Sequence, residues 1–119
     1  MSKPVGPYSP ILRAGDWVVI SGQIGLVPDA PTPTLAEGVT GQLRQLLANA
    51  RTLLATEGVG FDDVIKTTLF LTDMGDFAAC NEVWVEEFVN HRPTRSAIAV
   101  AALPLGALVE VEMWAYRPA

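Results

Sequence analysis

The sequence predicts an α+β fold, a two-layer sandwich with two helices on one mixed β-sheet. Three observations predict it. Apolar residues recur at helical spacing in two segments. Runs read in the order strand, strand, helix, strand, helix, strand, strand, and helices separated by single strands favour a helical layer on a sheet. The last strand alternates: Val109, Val111, Met113 and Ala115 point one way, and Glu110, Glu112, Trp114 and Tyr116 the other. Two carboxylates beside two aromatics make a poor solvent face, so this side of the sheet needs a cover of its own.

Residues 10–12 and 17–21 read as strands, with Ala14-Gly15-Asp16 as the tight turn between them. Pro28, Pro31 and Pro33 then exclude helix and central strand alike, so 27–33 is a loop within the domain. Thr34-Leu35-Ala36-Glu37 has the form of a capping box opening the first helix. Val39, Leu43, Leu46, Leu47, Ala50, Leu53 and Leu54 form its apolar stripe, and Gly58 stops it. Gly38 and Gly41 lie inside this helix at a propensity cost and suggest close backbone packing. Residues 64–72 are too rich in β-branched side chains for a comfortable helix and read as strand. Asp73 with Asp76 opens a second helix with Phe77, Cys80, Trp84 and Phe88 on one stripe, and Arg92-Pro93 closes it. Residues 96–100 and 108–116 are the last strands, joined across Leu103-Pro104-Leu105-Gly106, where a type II turn fits.

With 119 residues the chain is read as a single domain, 1–119. Its net charge of −5 argues against binding along a nucleic-acid backbone, which needs clustered positive charge. Hydrophobic residues make up 50% and charged residues 18%, which excludes disorder as the main state and points to surface hidden against copies of itself. One cysteine cannot form an internal disulfide, and one cysteine with one histidine cannot complete a four-ligand zinc site. The N-terminus lacks the apolar core of a signal peptide. The longest nearly apolar stretch, 97–109, falls short of the ~20 residues that span a bilayer. The expected location is cytoplasmic, with no membrane partner.

The lone His91 is read as complementing a helix C-terminus, and Cys80 as a core residue. No phosphate-binding glycine loop and no serine-hydrolase elbow is present. Three clusters remain. Gly6-Pro7-Tyr8-Ser9-Pro10 fixes a backbone path and places a phenol near the first strand. Arg92-Pro93-Thr94-Arg95-Ser96 sets a guanidinium at the start of a strand, and arginine grips carboxylates through two parallel hydrogen bonds. Glu110 and Glu112 share a strand face and could serve as general acid or base.

Those segments, with Ile20-Ser21-Gly22-Gln23-Ile24 and Val64-Ile65-Lys66-Thr67-Thr68-Leu69-Phe70, occur in one order from about Pro4 to Arg117. The set resembles the Rid/YjgF family of reactive intermediate deaminases (RidA-like, also labelled endoribonuclease L-PSP). Its most specific pieces are the Ser-Gly-Gln and Pro-x-Arg-Ser segments. The resemblance implies a chorismate-mutase-like ββαβαββ sandwich assembling as a homotrimer with inter-subunit pockets. It also implies hydrolysis of 2-enamino or 2-imino acids, such as 2-aminoacrylate or 2-iminopropanoate, to 2-keto acids and ammonia, without metal or cofactor. Carried over as catalytic, Arg95 is the arginine for the substrate carboxylate, Glu110 the water-positioning glutamate and Tyr8 a pocket tyrosine that closes the wall or donates a hydrogen bond. Ser21, Gly22, Asn81 and Ala97 line the pocket. Ala97 is a departure, since many family deaminases have cysteine there, and the 28–33 loop is another. A non-catalytic trimer binding 2-keto acid-like molecules, a pathway-specific enamine deaminase and a nuclease are the competing readings. Against the nuclease stand the net charge and the absence of a basic stripe with stacking aromatics.

Overall fold

A computed structural model describes residues 6–118. Two strands, β1 (Ile11–Ala14) and β2 (Trp17–Ile24), form a hairpin, and Ala14 faces Trp17 across the Gly15-Asp16 turn. Gly15 takes the left-handed conformation this tight reversal needs (φ 59°). Helix α1 (Gly38–Ala55) leads to β3 (Val64–Leu71), helix α2 (Phe77–Glu87) to β4 (Thr94–Ala99), and the chain ends on β5 (Val109–Tyr116). The sheet order is β1-β2-β5-β3-β4. β5 is antiparallel to both neighbours, whereas β3 and β4 are parallel, so the sheet is mixed as expected.

Both helices lie on one face. Val109, Val111, Met113 and Ala115 of β5 are fully buried beneath them, with Leu69 and Leu71 of β3 and Val18 and Ile20 of β2. The predicted stripe of α1 packs onto that layer; its Leu43, Leu46, Leu47, Ala50 and Leu54 have no exposure. At roughly 1.5–3 kcal/mol per buried aliphatic side chain, this layer is the main source of stability. Cys80 belongs to it. On the other face Trp17, Trp114 and Tyr116 form an exposed edge-to-face aromatic cluster, with Leu12 and Ile98 also exposed.

Several local expectations are corrected. The capping box does not form: Thr34 donates its hydroxyl to the Thr32 carbonyl, Leu35 bridges to Leu26, and α1 starts at Gly38. Gly38 adopts a positive φ of 70°, so it serves the turn into the helix and not a packing contact. The close approach is at Gly25, where a Cβ would stand 2.6 Å from both the Cα and the carbonyl oxygen of Gln42. Buried Gln42 in turn accepts a hydrogen bond from the Leu108 amide (2.9 Å), tying α1 to the start of β5. Gly58 does stop α1, with φ 70° and the Val59 amide returned to the Leu54 carbonyl.

Helix α2 ends at Glu87, before Arg92-Pro93, because Phe88 leaves helical geometry (φ −108°, ψ 78°) and stacks on Phe61 at 4.6 Å. His91 does not meet the helix carbonyls; its Nε2 contacts the Val64 carbonyl at 2.6 Å. In the 103–106 turn Leu105, as well as Gly106, takes a positive φ (58° and 73°). Among the described residues no helix is long and apolar enough to cross a membrane.

Gly25→Ala forces Gln42 and the α1 backbone away from β2. A loss of about 2 kcal/mol or more is expected, read by urea denaturation. An unchanged midpoint would mean that the Gly25–Gln42 contact is loose.

Candidate functional site

The expected site residues fall into two clusters. The first lies around Glu110, on the sheet face away from the helices. The register of β2 against β5 slips between Ile20 and Gln23, which lifts Ser21 and Gly22 out of the ladder as a bulge. Ser21 fastens the preceding segment to this bulge: its amide donates to the Pro10 carbonyl (2.9 Å) and its hydroxyl to the Ser9 carbonyl (2.8 Å). Tyr8, next to Ser9, is thereby kept near the bulge with its side chain exposed. The Glu110 carboxylate rests against Gly22, where a Cβ would lie 2.7 Å from Oε2 and 2.8 Å from Cδ. A side chain at this position would make the tip of the Glu110 side chain move aside. Burial pushes the Glu110 carboxyl above the usual carboxylate range, and the Glu112 charge on the same face adds to the effect.

The second cluster surrounds Arg95, on the helix-facing side. Arg95 pairs with Thr67 and Ala97 with Leu69 across the parallel β3–β4 ladder, and Thr67 and Leu69 also face Met113 and Val111. Adjacent ladder partners share a face, so Arg95 and Ala97 belong to the side under the helices, while Glu110, paired with Phe70, belongs to the other. Arg95 Nη2 donates to Asn81 Oδ1 at 2.7 Å. Its guanidinium carbon lies 5.0 Å from the Trp84 ring centre and 5.3 Å from that of Phe77. Burial lowers the Arg95 pKa from its usual value without removing the charge. Ala97 packs against the core two residues further along β4.

Arg95 has no carboxylate partner among the described residues. Arg13, Arg44, Arg51 and Arg117 each meet a carboxylate oxygen at 3.0, 3.1, 3.4 and 3.2 Å, and Arg92 is exposed. A partly buried guanidinium with spare N–H donors and no counter-ion is suited to receive an anion. Cys80 is close enough to feel the Arg95 charge, but burial, with help from Asp76, pushes its thiol up to about 11. It is a protonated core residue, and His91 is bonded elsewhere, so the two make no nucleophilic pair. Among the described residues no three His, Cys, Asp or Glu side chains converge as a metal site requires.

The structure thus brings Glu110 to Gly22 and Ser21, and Arg95 to Asn81, but within one chain it does not bring Arg95 to Glu110: the sheet stands between them. The sequence pattern sets Phe77 and Trp84 on one stripe with Cys80 and Phe88, whereas their rings stand beside Arg95. The spacing of Phe77, Asn81 and Trp84, one helical face at i, i+4 and i+7, is the signal that sets them apart.

The class defined by this architecture is the α+β sandwich of two helices on a mixed five-stranded sheet. The family model described as Endoribonuclease L-PSP matches residues 1–117, and the chain belongs to that family, the Rid/YjgF proteins. It is similar to a RutC family protein of Pyrococcus horikoshii, with 42% identity over 116 residues covering 97% of this chain and 90% of that one. A mouse protein named 2-iminobutanoate/2-iminopropanoate deaminase is 40% identical over 108 residues, 91% of this chain and 79% of that one. The crystal structure of RidA from an Antarctic Psychrobacter superposes with a TM-score of 0.91 at 40% identity, covering 96% of this chain and 91% of that one.

Because its pKa is raised on folding, Glu110 holds its proton more tightly in the folded protein than in the unfolded chain. Its contribution favours the fold below the ordinary carboxylate range and is lost as pH rises through the raised value. Glu110→Gln is therefore expected to be as stable as wild type or more so at about pH 7, the gap closing by about pH 4 in paired urea titrations. A gap that widens on acidification contradicts the assignment.

Proposed function

We propose that this protein hydrolyses 2-enamino and 2-imino acids, such as 2-aminoacrylate and 2-iminopropanoate, to 2-keto acids and ammonia. The observation that carries the reading is the partly buried Arg95, which lacks a carboxylate partner among the described residues while every other partly buried or ion-paired arginine has one. The names of relatives such as the mouse deaminase support the reaction class. The protein is read as a homotrimer. One copy supplies Arg95, Asn81 and Ala97, and its neighbour supplies Glu110, Gly22, Ser21 and Tyr8, so that each pocket lies between copies. The exposed aromatic and aliphatic side chains on the open sheet face support burial against other copies.

Arg95 takes the substrate carboxylate through two N–H donors while a third remains on Asn81. This fixes the imine carbon relative to Glu110 of the neighbour, a gain in proximity. An enamine substrate first takes a proton at carbon to become the imine. Glu110 then holds a water and accepts its proton as the oxygen adds to the C=N carbon. Returning that proton to nitrogen makes ammonia the leaving group, and the C–N bond breaks as the hydroxyl proton passes back to the Glu110 carboxylate, leaving the 2-keto acid. A carboxylate whose pKa is raised towards neutrality is a stronger base for this step, so activity is expected to rise with pH through the Glu110 value. Tyr8 closes the wall of the pocket. The reaction in this reading needs no metal or cofactor, because a protonated imine carbon is already electrophilic.

A nuclease reading has less support. The net charge is −5, and four described arginines are occupied by carboxylates.

The test generates 2-aminoacrylate in place from serine with a dehydratase and follows pyruvate and ammonia. Wild type should accelerate release, and Arg95→Ala should lose binding and turnover together. Glu110→Gln should lose about 100-fold or more in turnover. Full activity in Arg95→Ala would overturn the reading. Binding of 2-keto acids with no accelerated ammonia release would replace the deaminase by a binding trimer.

A further inference from the structure

One face of α2 is turned to a single side chain. Phe77, Asn81 and Trp84 follow each other at i, i+4 and i+7, and all three engage Arg95: Asn81 by a 2.7 Å hydrogen bond, Trp84 and Phe77 with ring centres 5.0 and 5.3 Å from the guanidinium carbon. The core accounts for Trp84 only in part. Trp84 packs on Phe88 at 4.7 Å and is buried, but Phe77 is 36% exposed, so its ring gains little from burial where it stands. Asn81 has its oxygen, not its amide nitrogen, on Arg95, which removes one N–H donor from the set available to a ligand and fixes the rotation of the guanidinium. Arginine has a long side chain with many rotamers, and an arginine at a sheet edge loses that freedom on binding unless it is already held.

We propose that Phe77 and Trp84 are positioning residues: with Asn81 they form a cradle that holds the Arg95 guanidinium between two aromatic rings and directs its free N–H edge outward to the ligand carboxylate. The aromatic faces supply electrostatic attraction to the cation without an acidic partner, so the charge is kept in place and not neutralised. A carboxylate in their position would hold the arginine equally well and would compete with the ligand for the same donors. The inference rests on the role given to Arg95 above and adds the residues that act through it.

The test measures binding of pyruvate and 2-ketobutyrate by calorimetry and imine turnover with the intact oligomer. Phe77→Leu keeps apolar volume at an exposed position where the fold is little affected. Trp84→Leu removes the second ring, and Trp84→Phe restores one. Each leucine variant should raise Kd and KM about fivefold while kcat stays within about twofold, since Glu110 is untouched. Trp84→Phe and Phe77→Tyr should recover most of the loss. In 15N spectra the guanidinium NH2 signals of Arg95, distinct while rotation is restrained, should exchange faster in the leucine variants, where only the Asn81 hydrogen bond still restrains them. Unchanged Kd and unchanged Arg95 signals in folded Phe77→Leu and Trp84→Leu, with binding lost in Arg95→Ala, would overturn the cradle alone. Ligand binding that survives Arg95→Ala, or no ligand binding by wild type, would overturn the functional reading and the cradle with it.

Discussion

The structure depends on the two-sided alternation of β5 and on its place at the centre of the sheet. Four consecutive helix-facing positions, Val109, Val111, Met113 and Ala115, are fully buried, and that burial fixes the register of the strand. A slip of one residue would carry Glu110 and Glu112 under the helices and four apolar side chains out. The same register puts Glu110 against Gly22 on one face and leaves Arg95, two strands away, on the other. Apolar packing therefore decides where both charged groups stand and keeps the sheet between them.

Neither charged group is placed where a single chain would gain most stability from it. Glu110 is held partly out of water beside a second carboxylate, which favours its protonated form. Arg95 is held against aromatic rings and an amide oxygen with no acid paired to it among the described residues. Structural ion pairs elsewhere, such as Arg13 with Glu57, follow the opposite pattern of direct neutralisation. In the proposed trimer another copy would bring one face beside the other, and these unneutralised, partly desolvated groups would then be complementary. Under the proposed function this is how a cation for the carboxylate and a base for the water meet at one substrate.

Much of this was legible in the sequence, and for identifiable reasons. The stripe of α1 and the alternation of β5 are periodic signals, and periodicity survives tertiary context. The two helices on a mixed sheet followed from element order. The local boundaries were less legible. Thr34 to Glu37 has the residue types of a capping box, but Leu35 is committed to a bridge with Leu26, and the turn at Gly38 sets the helix start. The end of α2 is set by Phe88 stacking on Phe61, a contact between distant segments that no local pattern encodes. The critical glycines likewise depend on what they touch: Gly25 on Gln42 and Gly22 on Glu110, neither visible from spacing. Arg95 and Glu110 could be singled out by motif, but their separation by the sheet required the strand register.

The central claim is that Arg95 of one copy and Glu110 of another act on the same substrate, and subunit mixing tests it most directly. Arg95→Ala and Glu110→Ala are each prepared, co-refolded in equal amounts and assayed for imine hydrolysis against either variant alone. If the site is shared, each variant alone is inactive and the mixture recovers activity, up to about one site in four where an intact arginine meets an intact glutamate. A mixture that contains hetero-oligomers, verified by native mass spectrometry, yet stays as inactive as its components would contradict the account.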